Sequence, residues 1–138
     1  MKPRIKVLTL AVDDLDRSLA FYRDGLGLPT KGIIGQEFDH GAVAFFPMDD
    51  GLILALYPVA SLSKDARITA TPTRLGAVSI GHLVASKDEV DAVMKQAEQA
   101  GGTVIDPPQD RFWGGYSGYF HDLDGHLWEI AWNPQFGV

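Results

Sequence analysis

The sequence contains no cysteine. That excludes disulfides, thiolate metal ligands and a cysteine nucleophile, and makes a reducing, cytoplasmic compartment the expected location. Long apolar runs are missing as well. Met1-Lys2-Pro3-Arg4 leads directly into an alternating stretch without the apolar segment a secretory signal needs, and no later run approaches a membrane span. Neither secretion nor a membrane partner is expected. Basic residues are few and scattered: 12 Lys and Arg stand against 18 Asp and Glu, a formal charge of −6. A phosphate backbone would be repelled, so no nucleic-acid partner is expected. No P-loop or dinucleotide fingerprint occurs, and no Ser or Thr sits in a nucleophile-elbow context.

The 138 residues, 46% of them hydrophobic, suffice for one domain with a core of its own, spanning 1–138. Ile5 to Val12 alternates as a strand. Asp13-Asp14 then offers a helix N-cap ahead of Leu15, Leu19, Tyr22 and Leu26, an apolar stripe at helical spacing closed by Gly25 and Gly27. Three β-rich runs follow, at 32–38, 42–48 and 52–57, separated by Asp39-His40-Gly41 and Asp49-Asp50-Gly51. Residues 59–77 have no clear periodicity and read as a connector between modules at about 1–58 and 78–138. The order then repeats. Val78 to Ala85 is a strand, Ser86-x-x-Glu89 has capping-box form, and Val90, Val93, Met94 and Ala97 make a helical stripe closed by Gly101-Gly102. Strands are expected around 103–105, 116–121 and 126–132. Gly27 aligns with Gly102 and Tyr57 with Trp132 at one offset of 75 (102 − 27 and 132 − 57). Two βαβββ units imply an α+β fold in which a curved mixed sheet wraps a cavity and the helices cover its outer face. The units could pair within one chain or between two.

The run from Gly115 through Tyr116-Ser117-Gly118-Tyr119-Phe120-His121-Asp122-Leu123-Asp124-Gly125-His126-Leu127-Trp128-Glu129 to Ile130 resembles the C-terminal signature of the vicinal-oxygen-chelate superfamily, the glyoxalase, bleomycin-resistance and extradiol-dioxygenase group. Leu123 stands where that signature usually has proline. The opening Leu10 to Tyr22, with Asp13-Asp14-Leu15, also resembles the family's first strand and helix, as does Leu26-Gly27-Leu28. With Gly81-His82 the likeness covers nearly the whole chain. It implies a small-molecule ligand and a homodimer, but no single reaction, since the superfamily spans lyases, isomerases, dioxygenases, transferases and drug-binding proteins.

In metal-using relatives each module contributes a ligand from its first strand and one from its last. The resemblance carries these positions onto Val7 and His82, and onto Leu54 and Glu129. A divalent cation wants three or four protein donors, so His82 and Glu129 are an incomplete metal set: no cofactor is expected, although a divalent metal stays possible. The expected site is a mostly apolar cavity with His82 and Glu129 as candidate catalytic groups and Val7 and Leu54 beside them. Trp113 in a Pro- and Gly-flanked loop, together with Tyr116 and Phe120, would line it. The last two follow from a four-residue turn at 122–125, which sets Gly118 opposite Glu129. Such a cavity would suit an aromatic or weakly cationic ligand. Two readings follow: a binding protein or metal-independent enzyme, and a metal-dependent lyase or isomerase resembling glyoxalase I, or a dioxygenase.

Overall fold

The computed structural model describes residues 1–69 and 76–138, so part of the predicted connector lies outside the described residues. The chain divides into two compact units, Met1–Pro72 and Thr73–Val138, each with its own sheet. The architecture is α+β, with two four-stranded mixed sheets of like topology in place of one continuous sheet. No described helix is long and apolar enough to cross a membrane.

In the first unit β1 (Val7–Val12), β2 (Ile33–Ile34), β3 (Val43–Pro47) and β4 (Ile53–Pro58) take the order β1-β4-β3-β2. β1 runs parallel to β4 and the other neighbours are antiparallel. The Asp14 carboxylate accepts the Arg17 N–H at 3.0 Å and starts α1 (Leu15–Ala20), which widens into a π turn over Phe21–Gly25. Leu19, Phe21 and Tyr22 of this helix are buried, with Tyr22 6.0 Å from Phe46 between ring centres. Strand alternation supplies the other half of the core: Leu10, Val12, Ala44, Phe46, Leu54 and Leu56 are all buried. The strand predicted over 32–38 shrinks to two residues, because the backbone closes turns from Phe38 to Gly35 and from Gly41 to Phe38. The connector also departs from expectation. It opens with α2 (Val59–Ala66), a two-turn helix too short to print a periodic stripe, ended by Arg67 in the left-handed conformation (φ 54°).

The second unit comprises β5 (Ser79–Leu83), α3 (Lys87–Gln99), β6 (Thr103–Asp110), β7 (Tyr116–His121) and β8 (Leu127–Trp132), ordered β5-β8-β7-β6. α3 packs on β6, β7 and β8, burying Val90, Met94 and Ala97 on the face that carries Phe120, Trp128 and Ile130. The N-cap half of the capping box forms, with Ser86 Oγ accepting the Glu89 N–H at 3.2 Å, while the Glu89 carboxylate reaches one residue past the cap to the N–H of Ala85 at 3.0 Å. Ser86→Ala is therefore expected to lower unfolding stability by about 1 kcal/mol, read as a drop in urea midpoint at unchanged slope.

Candidate functional site

Strand pairing decides which residues share a face. In the first sheet parallel partners lie 46 positions apart, Val7 beside Ile53 (53 − 7) and Thr9 beside Ala55. In the second they lie 48 apart, Ser79 beside Leu127 (127 − 79) and Gly81 beside Glu129. The pairs expected from the sequence, Val7 with Leu54 and His82 with Glu129, are each 47 apart (54 − 7 and 129 − 82). Each such pair straddles the pleat, so its members point to opposite faces. Leu54, 2% exposed, belongs to the core under α1, not to a cavity. His82 pairs with Ile130 and lies on the helix side of the sheet. It is exposed there because β5 is an edge strand while α3 sits over the other three.

Anchors other than a single offset restore the correspondence between the modules. Val7 stands seven residues before the N-cap Asp14, and Ser79 stands seven before the N-cap Ser86. Ala55 follows the turn glycine Gly51 by four residues, as Glu129 follows Gly125. The counterparts are thus Val7 with Ser79 and Ala55 with Glu129. Ser79 is the residue that the offset of 75 hid.

On the open face of the first sheet, away from α1, lies a cavity of about 680 Å³. Its floor is Val7, Ile34, Phe45, Pro47 and Ile53, contributed by all four strands, and its wall is the segment 29–32. The wall is pinned to the sheet by Thr30, whose hydroxyl donates to the Phe45 carbonyl at 2.7 Å and accepts the Gly32 N–H at 3.1 Å. Among the lining residues Lys31 alone is charged.

The open face of the second sheet is polar. Tyr119 pairs with Glu129 across β7 and β8, so the two side chains stand side by side on this face. Burial first, and then the neighbouring Glu129 carboxylate, hold the Tyr119 phenol above its ordinary value despite the opposing charge of Arg111. The Arg111 guanidinium lies over the Tyr119 ring, 5.5 Å from its centre. It bonds Asp106 at 2.8 Å, Ser117 Oγ at 2.9 Å and the Ser117 carbonyl at 2.9 Å.

The observed register corrects the expected lining. Facing residues in β7 and β8 sum to 248, as in Tyr119 with Glu129, not to 247. Tyr116 and Phe120 therefore turn toward α3. The Tyr116 hydroxyl donates to Asp91 on that helix at 2.8 Å, and Phe120 is 1% exposed and stacked on Trp128. Gly118 faces α3 too: a Cβ there would come within 3.0 Å of both Met94 and the backbone at Pro108, where β6 bulges. Trp113 folds back on its own loop, its ring occupying the space a Cβ on Gly115 would need. Tyr119 and Arg111 on this polar face were not among the residues expected from the sequence. Tyr119 was hidden by the one-residue register error, and Arg111 by lying in a stretch read as loop.

One acidic cluster lies apart from these groups. Asp122, Asp124 and His126 place one potential ligand atom each within 4.8 Å, the one such group among the described residues. Their geometry is that of a turn clasp: Asp122 accepts the N–H of Asp124 at 3.0 Å and of His126 at 2.8 Å, and contacts His126 Nδ1 at 2.7 Å.

A family model described as the Glyoxalase/Bleomycin resistance protein/Dioxygenase superfamily matches residues 4–130. The chain belongs to that superfamily. Among solved structures, a glyoxalase-related enzyme from Fulvimarina pelagi is 33% identical, with a TM-score of 0.85 over 99% of this chain and 92% of its own. A lactoylglutathione lyase from Agrobacterium tumefaciens is 26% identical, with a TM-score of 0.71 over 100% and 99% of the two chains. A genomically encoded fosfomycin resistance protein from Listeria monocytogenes shares the fold at 22% identity and a TM-score of 0.70, over 98% and 97%. No curated protein matches the chain.

Counted from the N-caps and turn glycines with Val7 and Glu129 as anchors, the four first- and last-strand positions that the resemblance implies for ligands fall on Val7, Ala55, Ser79 and Glu129. One carboxylate, one hydroxyl and two hydrocarbon side chains do not fit a divalent cation that needs three or four protein donors.

Proposed function

We propose that this chain is a small-molecule binding protein or metal-independent enzyme of the superfamily, which holds an apolar ligand on the open face of its first sheet. The cavity over Val7, Ile34, Phe45, Pro47 and Ile53 carries this reading, since its volume and apolar floor are those of a ligand pocket. Phe45 is 39% exposed in the middle of the floor, so a charge placed there meets the ligand and spares the core. Phe45→Asp is expected to weaken binding of small aromatic compounds at least about tenfold, because the carboxylate would be desolvated by an apolar ligand. A thermal-shift and titration screen of both proteins checks this; compounds that bind the two equally would sink the assignment.

If the chain is also an enzyme, Glu129 is its acid–base group and Tyr119 the residue that positions it, with His82 no longer beside them. Metal-dependent lyase, isomerase or dioxygenase chemistry is the alternative reading, and metal content separates the two. Protein purified without chelator or affinity metal is expected to carry far less than one metal ion per chain by mass spectrometry. About one ion per chain, lost in Glu129→Ala, would overturn metal independence. The homodimer that the resemblance implies belongs to the same proposal and is checked by sedimentation.

A further inference from the structure

We propose that the cavity of the first sheet selects small apolar molecules bearing one carboxylate, with Lys31 as the residue that reads the charge. This rests on the reading that the cavity binds a small molecule, and it departs from the weakly cationic ligand suggested by the sequence. The floor is hydrocarbon, and Lys31 alone among the lining residues is charged. No acidic side chain lines the cavity, and Lys31 has no hydrogen-bond or ion-pair partner among the described residues. In a chain with six more acidic than basic residues, an unpaired lysine at an apolar mouth stands out as the complement of an anion.

The position of Lys31 is also built. Its neighbour Thr30 is tied to the Phe45 carbonyl, and the Gly32 N–H is tied back to Thr30, so the main chain on either side of Lys31 is fixed to β3. The side chain can lay its methylenes along the cavity wall and leave the ammonium at the rim. There an ion pair with a ligand carboxylate is partly screened but formed against low-dielectric surface, which gives selectivity more than raw affinity.

The test compares 1-naphthoate, neutral 1-naphthamide and cationic 1-naphthylmethylamine by calorimetric titration of the wild-type chain, Lys31→Met and Lys31→Glu, with circular dichroism to confirm folding. Wild type is expected to prefer naphthoate over naphthamide about fivefold, the size of a partly screened ion pair. Lys31→Met should abolish that preference by weakening naphthoate alone, and Lys31→Glu should turn it toward the amine. Equal binding of naphthoate and naphthamide to wild type, or a preference that survives in Lys31→Met, overturns the inference while the cavity reading stands. Absence of binding by all three compounds overturns both. Naphthoate affinity that falls as protein concentration rises would show a second copy of the chain occupying the face, and would also overturn it.

Discussion

Phe120→Ala is expected to cost about 3–5 kcal/mol of unfolding stability and to leave ligand affinity unchanged. Phe120 is 1% exposed, its ring lies 6.1 Å from Trp128 at an interplanar angle of 3°, and both rings sit on the side of the second sheet that α3 covers. Truncation would leave a cavity beside Trp128 and Gly102 under α3 that neighbouring side chains can fill only in part. The adjacent residue behaves oppositely. Tyr119→Phe removes one hydroxyl from the open face and is expected to leave unfolding stability nearly unchanged. Urea unfolding of the two variants distinguishes the faces directly. Near-normal stability in Phe120→Ala would restore the register in which that ring lies on the open face.

That register was one residue out of reach of the sequence, for a definable reason. Alternation over Leu127 to Trp132 placed Glu129 with Leu127 and Ala131, and turned Trp128 and Trp132 toward the helix, as observed. The faces of β7 depend instead on the length of the turn. Asp122 to Gly125 has the composition of a four-residue turn, which would leave His126 in the strand. The Asp122 carboxylate binds both the N–H and Nδ1 of His126, so His126 belongs to a five-residue connection and His121 pairs with Leu127. The main chain holds the same register, with the Asp122 N–H donating to the His126 carbonyl at 3.0 Å, and relative to a four-residue turn every side chain of β7 changes sides.

Local chemistry was legible where it acts over three or four residues. The N-caps at Asp14 and Ser86 and the repeated β-α-β-β-β order all follow from such short-range patterns. Quantities set by distant pairing were not legible. The partner spacing of 46 in one module and 48 in the other decides that Leu54 is core and His82 lies off the face of Glu129, and no single repeat offset can express it. The cavity wall is similar. Lys31 lies in an irregular stretch, and only the bond of Thr30 to Phe45, fifteen residues on, makes it part of a pocket.

Asp122→Ala is expected to destabilise the second unit by about 3–5 kcal/mol, the cost of breaking one side of a buried, hydrogen-bonded pair. Asp122 is 5% exposed and bonds two backbone N–H groups and the His126 ring. Its removal leaves those donors without an acceptor in the turn that sets the β7 and β8 register. A pH dependence accompanies the clasp. Burial would lower the pKa of His126, but the hydrogen bond and charge of Asp122, with the charge of Asp124, outweigh it and hold the imidazole above its ordinary value. A group whose folded pKa is raised stabilises the fold fully below its unfolded value, about 6.5 for histidine, and that contribution is lost as pH rises through the folded value. Wild type should therefore lose stability on going from pH 6 to pH 8.5, and His126→Gln should lose less over the same interval. Urea midpoints at the two pH values measure both effects. An Asp122→Ala variant within about 1 kcal/mol of wild type would mean that solvent satisfies the turn, and the carboxylate would then not be what sets the register of the strand bearing Tyr119.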